Sequence, residues 1–139
     1  MDSFYIHVLA EDHVVARGDC VSMVLPLEDG LYGIQAHHSN MISAIIPGIL
    51  SCTMADGSTI RSAVSRGLVK VEKNDVLVLL ESAENPETID LERAKRAAAE
   101  AQEVLQRQHS LMEQTAAEAS LARAINRIKA KNTFDMDNI

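Results

Sequence analysis

The chain of 139 residues carries 13 basic and 20 acidic side chains, a net charge of −7, and only 3% of it is aromatic. This balance argues against nucleic acid as a partner, because phosphates need clustered positive charge and bases need aromatic rings to stack on. No apolar run approaches the ~18 residues of a membrane-spanning helix, and the amino terminus, MDSFYIHVLAEDHVV, shows neither the basic nor the apolar region of a secretion signal. Cys20 and Cys52 lack metal-type spacing and read as free thiols of a cytoplasmic protein. The length suits one ordinary domain or a small domain with an appendage.

Every glycine lies at or before Gly67, and neither glycine nor proline follows Pro86. Because these two residues punctuate loops, their loss predicts a boundary: a β domain over 1–84 and a helical hairpin over 85–139. In the first part, Phe4–Leu9 and His13–Arg17 are β-prone runs, the second stopped by Gly18. Cys20–Pro26 follows, then a turn at Glu28-Asp29-Gly30 and a run over Leu31–Ala36. Ala55-Asp56-Gly57 between Ser51–Met54 and Ser58–Val64 is a hairpin signal. Leu68–Glu72 alternates apolar and charged residues with the period of a half-buried strand, and Val76–Leu80 is apolar on both faces, which predicts a central strand. Eight or more short strands at this spacing predict an antiparallel β-sandwich or a barrel.

Two features of this part invite chemistry. His37 and His38 are adjacent, but neighbouring side chains on an extended segment point to opposite faces, so a turn or packing role is favoured over chelation of one metal. Glu81 and Glu84 have no histidine, lysine or nucleophile motif beside them. The sequence thus predicts no catalytic residue and no metal site.

Asn85-Pro86-Glu87-Thr88 is helix-start chemistry. A first helix is predicted from Ile89 to about Gln108, with Ala94, Ala97, Ala98, Ala101 and Leu105 on one face. His109-Ser110 offers a break. A second helix is predicted from Leu111 to about Lys131, its stripe formed by Ala117, Leu121, Ala124, Ile125 and Ile128. At about 25 cal/mol per Å² of apolar area, alanine stripes hold less firmly than leucine ones, so the hairpin reads as tightly packed but weakly docked. Residues 85–139 hold 8 basic and 9 acidic side chains against 5 and 11 in 1–84. Arg123, Arg127, Lys129 and Lys131 follow one another with no acid between Ala119 and Phe134. Such a run is either a solvated face or a docking strip for an acidic surface.

This order resembles the epsilon subunit of bacterial F-type ATP synthases. Val21, Pro26, Gly30, Gly33-Ile34 and His38 resemble that family's V-x-x-x-x-P…G-x-x-G-I-x-P-x-H stretch, and Ile45–Leu50 its apolar-Pro-Gly-apolar run. VSRGLVKVEKNDVLVLLESAE is similar to the strand pair preceding the helices. IDLERA at 89–94 carries the I/L-D-x-x-R-A motif in full, and LARAINRIK at 121–129 is similar to the last helix. Ala36 replaces a usual proline, Arg66 a common glycine, and Glu100, Glu103 and Val104 stand where some ATP-binding relatives carry basic residues.

The resemblance implies a non-catalytic central-stalk subunit, coupling ion flow to ATP synthesis, peripheral to the cytoplasmic side of a bacterial cell membrane. It implies a sandwich touching the gamma subunit and the c-ring, His38 included. It also implies a hairpin that opposes ATP hydrolysis when Arg123, Arg127, Lys129 and Lys131 approach an acidic loop of a beta subunit. No cofactor is required. The intact motif admits a regulatory ATP held by Ile89, Asp90, Arg93, Ala94, Arg123 and Arg127, the antiparallel hairpin bringing the last two toward the first four. The plainer role of Asp90 and Arg93 is to stabilise the start of a helix. The competing class is a stand-alone adaptor, with one protein bound by the sandwich and another by the hairpin.

Overall fold

The computed structural model describes residues 2–107 and 110–137, the side chains of 134–137 excepted. Nine strands precede two helices: β1 (Phe4–Ala10), β2 (Val14–Leu27), β3 (Gly30–Ile34), β4 (Met41–Ile45), β5 (Gly48–Met54), β6 (Thr59–Val64), β7 (Gly67–Glu72), β8 (Asp75–Leu80) and β9 (Ala83–Glu84). The chain divides into two compact units, Met1–Glu84 and Asn85–Ile139.

In the first unit the strands form one hydrogen-bonded path, β4-β7-β8-β1-β2-β5-β6-β9, with β3 also on β2. Strand β2 joins the two halves of that path. Its residues 14–20 pair with β1, while residues 20–27 pair with β5 and β3. The register against β5 shifts between Cys20 and Ser22, and a bulge of this kind bends a strand and raises its twist. One strand can therefore serve both layers. The strands turn alternate side chains inward, Phe4, Ile6 and Val8 from β1 meeting Met23, Leu25, Leu50, Val69, Val71, Val76 and Val78 in one buried cluster. The result is a β-sandwich, one of the two architectures that the strand spacing allows and the one that the resemblance implies.

Three details differ from the sequence reading. The runs at 13–17 and 20–26 are one strand, because Gly18 at φ +132° passes the chain through a conformation that side chains disfavour instead of ending it. Strand β8 is central, flanked by β7 and β1, but it is not apolar-buried on both faces: Val76, Val78 and Leu80 point inward while Leu79 is 44% exposed. And β1 pairs with β8 in parallel, all other pairings being antiparallel. Strands β4 and β9 complete the two ends of the path.

The tight turns follow from local chemistry. At Asp56-Gly57, Gly57 takes φ +91° and Asp56 Oδ1 accepts from the Ser58 amide at 2.9 Å and the Ser58 hydroxyl at 2.6 Å. These two bonds, the hydroxyl's first, hold the Asp56 carboxyl below its ordinary pKa of 3.8. Gly67 is required by close approach, since a Cβ there would overlap the Leu79 carbonyl oxygen.

The second unit opens with a single 3-10 turn, Pro86–Thr88, capped by Asn85, whose Oδ1 accepts from the Glu87 amide at 2.9 Å. Helix α1 runs Leu91–Gln106 and α2 runs Leu111–Asp137. The start of α1 is two residues later than the sequence suggests because the chain is capped twice, by Asn85 and again by Asp90. Helix α2 extends beyond Lys131, as nothing before its end stops it. Ser110 caps it, its hydroxyl accepting from the Glu113 amide at 3.2 Å; Gln108 and His109 lie outside the described residues. The stripes of α1 and α2 are Ala94 and Ala101, and Ala117 and Ala124, all buried. Ile125 is not part of the stripe and is 38% exposed.

Candidate functional site

The start of α1 shows what the residues of the IDLERA segment do locally. Asp90 has extended dihedrals and its Oδ1 accepts from the Arg93 amide at 3.2 Å, satisfying one of the orphan donors of the first turn. Its backbone oxygen accepts from the Ala94 amide at 3.0 Å. Ile89 and Ala94 are buried, whereas Arg93 is exposed. The apolar members therefore pack, the aspartate caps, and the arginine is left facing solvent.

Helix α2 returns antiparallel to α1 and meets the 3-10 turn near its end. Lys131 Nζ lies 3.4 Å from the Glu87 carbonyl oxygen and donates to it. That contact places the carboxy-terminal half of α2 at the same end of the hairpin as Asp90 and Arg93. Arg123, Arg127 and Lys131 succeed one another at steps of four and share one edge of α2. Lys129 does not belong to that edge: two residues beyond Arg127 it is turned by about 200° around the helix. The predicted strip of four is thus three residues on one edge and one on the opposite face. The Arg123 guanidinium donates to the Ser120 hydroxyl at 3.2 Å.

The hairpin also holds a cavity of about 390 Å³ lined by Ala97, Glu100, Ala101, Val104, Arg107, Glu113, Ala116, Ala117 and Ser120. It lies toward the link between the helices and includes none of the six residues assigned to a nucleotide from the sequence. Its rim carries two carboxylates and one guanidinium, a balance that suits a phosphate chain poorly.

In the β unit the two adjacent histidines separate. The His37 ring Nε2 lies 3.2 Å from Asp2 Oδ2, and its backbone, at φ +65°, donates its amide to Asn74 Oδ1 at 2.7 Å. His38 has Nδ1 2.7 Å from the Ser39 carbonyl oxygen and Nε2 2.7 Å from Tyr32 Oη. A carbonyl only accepts, so Nδ1 carries the hydrogen and the neutral ring accepts the Tyr32 hydroxyl through Nε2. Asn74 also donates from Nδ2 to the Ser3 carbonyl at 2.9 Å. The turn at Lys73-Asn74-Asp75 is legible in the sequence and is present in the structure; the clasp that Asn74 makes across the chain and the role of Tyr32 are not, because such contacts leave no trace in local spacing. Among the described residues no group of three or more histidine, cysteine, aspartate or glutamate side chains is placed to hold a metal ion, and no helix is long and apolar enough to cross a membrane.

Comparison with known proteins covers both units. The β-sandwich domain of ATP synthase delta/epsilon chains matches residues 3–86, and the long α-helix domain of the same chains matches residues 87–132. The ATP synthase epsilon chain of Ruminiclostridium cellulolyticum is 35% identical over 132 residues, covering 95% of this chain and 98% of that one. That of Symbiobacterium thermophilum is 36% identical over 130 residues, covering 94% and 93%. Among solved structures, a chain of the mitochondrial ATP synthase of Euglena gracilis aligns with a TM-score of 0.80 at 20% identity, over 89% of this chain and 78% of that one. A chain from the central stalk and c-ring of the Tetrahymena thermophila mitochondrial enzyme aligns with a TM-score of 0.67 at 14% identity, over 91% and 95%. At those identities the likeness is one of fold.

Proposed function

The chain belongs to the delta/epsilon chain family of ATP synthases, and we propose that it is the epsilon-type subunit of a rotating central stalk. In this role it has no chemistry of its own. The single observation that carries the reading is the match of both units, in order, to that family's two domains over residues 3–132. The β unit would bind the gamma subunit and face the c-ring, with His38 and Tyr32 among its contacts, and ion flow would be coupled to ATP synthesis through the assembled rotor. The chain would lie on the cytoplasmic side of a bacterial cell membrane, peripheral to it, held there by the complex.

The hairpin would restrain ATP hydrolysis. Arg123, Arg127 and Lys131 form a basic edge, and an acidic loop of a beta subunit is the surface that such an edge complements. What supports a releasable hairpin is the small size of the buried side chains on its helices, Ala94, Ala101, Ala117, Ala124 and Ala130. Hydrolysis by the native complex, measured with this chain present and after its removal, tests the reading: a faster rate without it supports a brake, and an unchanged rate rejects it.

A regulatory ATP on the compact hairpin remains the second reading, favoured by Arg93, Arg123 and Arg127 standing at one end of it. Calorimetric titration of the full chain with ATP decides this, with Arg93→Ala as the comparison. Heat of binding from the natural chain and less from the variant supports it; no heat at millimolar ATP, or equal heat from both, rejects it.

A further inference from the structure

Asp29-Gly30 and Asp56-Gly57 are the two places in the chain where an aspartate or asparagine precedes a glycine. They stand at matched positions in two hairpins. In the β2–β3 turn Leu27 faces Gly30 across Glu28-Asp29, and in the β5–β6 turn the Met54 carbonyl accepts the Gly57 amide at 3.0 Å across Ala55-Asp56. Both glycines have positive φ, +122° and +91°, and both aspartates are exposed. The backbones are alike; the aspartate side chains are not. Asp56 Oδ1 accepts from the Ser58 amide at 2.9 Å and the Ser58 hydroxyl at 2.6 Å. At the equivalent place after Asp29 stands Leu31, which has no hydroxyl, and the Asp29 carboxyl has no partner among the described residues.

We propose that Asp29 is a site of spontaneous covalent modification, isomerising to isoaspartate in the folded protein while its counterpart Asp56 is protected by Ser58. The inference is independent of the rotor reading. Glycine suits the step because no Cβ shields the amide nitrogen that must approach the carboxyl. The carboxyl must be protonated, since its hydroxyl is the leaving group, and it must be free to swing toward that nitrogen. At Asp56 the bonds from Ser58 oppose both requirements: they hold the carboxyl below its ordinary pKa of 3.8 and fix its direction. At Asp29 neither restraint is present.

The chemistry needs water alone. The Gly30 amide nitrogen attacks Asp29 Cγ, the bond from Cγ to its hydroxyl breaks, and one water leaves with the amide proton. A five-membered succinimide remains. Water then adds to one of the two ring carbonyls. Opening at Cγ restores aspartate; opening at the Asp29 main-chain carbonyl leaves isoaspartate, with the chain running through the former side chain and the α-carboxyl set free. That free α-carboxyl is the group that a methyltransferase acting on isoaspartate would take. Isoaspartate also adds one main-chain carbon to the turn, which disturbs the pairing of Leu27 with Gly30. Strand β3 carries Tyr32, whose hydroxyl bonds His38, so the change reaches that exposed contact.

The test uses the full folded chain, held warm in mildly acidic buffer made with oxygen-18 water. Samples are cut with an endoproteinase that cleaves before aspartate and not before isoaspartate, and the peptides are weighed. Each passage through the succinimide adds one heavy oxygen and each isoaspartate removes a cleavage, so both turns are read in one sample. The expected result is loss of cleavage before Asp29 about tenfold faster than before Asp56, the factor that one hydrogen bond to a charged group supplies. In the urea-unfolded chain the two sites should react at similar rates, and Ser58→Ala should bring folded Asp56 closer to the rate at Asp29. Equal rates in the folded chain, a faster loss at Asp56, the same difference in urea, or an Asp56 rate unmoved by Ser58→Ala would overturn the proposal.

Discussion

Asn74 Oδ1 accepts the backbone amide of His37 at 2.7 Å while the same side chain donates to the Ser3 carbonyl at 2.9 Å. One side chain in the β7–β8 turn thereby ties down the start of the chain and the segment between β3 and β4. Asn74 itself has φ +63°, a left-handed conformation that asparagine tolerates better than most residues. Asn74→Gly keeps the backbone and loses the clasp, at a cost of about 1–3 kcal/mol for two hydrogen bonds. Asn74→Ala loses both and adds left-handed strain, so it should be the less stable variant. Urea unfolding of both chains checks the order.

Gly67→Ala should be among the most damaging small substitutions in the β unit. The added Cβ would overlap the Leu79 carbonyl oxygen, so β7 and β8 must separate. Gly33→Ala is the control, as nothing stands within 4 Å of the added atom; it should stay within about 0.5 kcal/mol of the parent. Thermal unfolding measured side by side distinguishes a close approach from a general intolerance of glycine replacement.

The Asp56 turn gives a pH dependence with a fixed sign. Folding lowers the Asp56 pKa below 3.8, first through the Ser58 hydroxyl and then through its amide. Its contribution is complete above that ordinary value and is lost as pH falls through the lowered one. Ser58→Ala removes the stronger cause, so the Asp56 carboxyl should titrate closer to its ordinary value. Carbon-13 NMR titration of the side-chain carboxyls reads this directly; an Asp56 midpoint unchanged by the substitution would contradict the assignment.

The placement of the basic residues sharpens a test of the brake. Arg127→Gln and Lys131→Gln remove charge from one edge of α2, and Lys129→Gln removes the same charge from the opposite face. In a reconstituted complex the first two should speed ATP hydrolysis and the third should change it less. Equal effects from all three would point to net charge in place of a docked edge.

How much of this was legible beforehand depended on the range of the interaction. Turn glycines and strand alternation are local, so the hairpin at Asp56-Gly57, the strands around it and the helix start at Asn85-Pro86 could be read directly. The parallel pairing of β1 with β8 joins residues some 70 apart in the chain, and no neighbouring residue encodes it. Gly18 misled for a related reason: it marks a bend that a strand passes through, and only the pairing partners on either side reveal that the strand continues. In the hairpin, spacing placed the alanines on one face but counted Lys129 with residues across the helix from it. Asp90 could be recognised within its motif, but the motif does not say that its carboxylate accepts from the Arg93 amide and caps the helix.

The most direct test of the rotor assignment is recovery of partners from detergent-solubilised membranes with an affinity-tagged full chain, alongside a chain stopped after Glu84. Strand β9 ends there, and the Glu84 carbonyl accepts from the buried Ser62 hydroxyl at 3.3 Å, so the shorter chain retains the whole sheet. The account predicts that both chains fold, by circular dichroism and resistance to protease, and that both recover the gamma subunit and the c-ring in constant proportion. Recovery of neither partner by a folded full chain would contradict it.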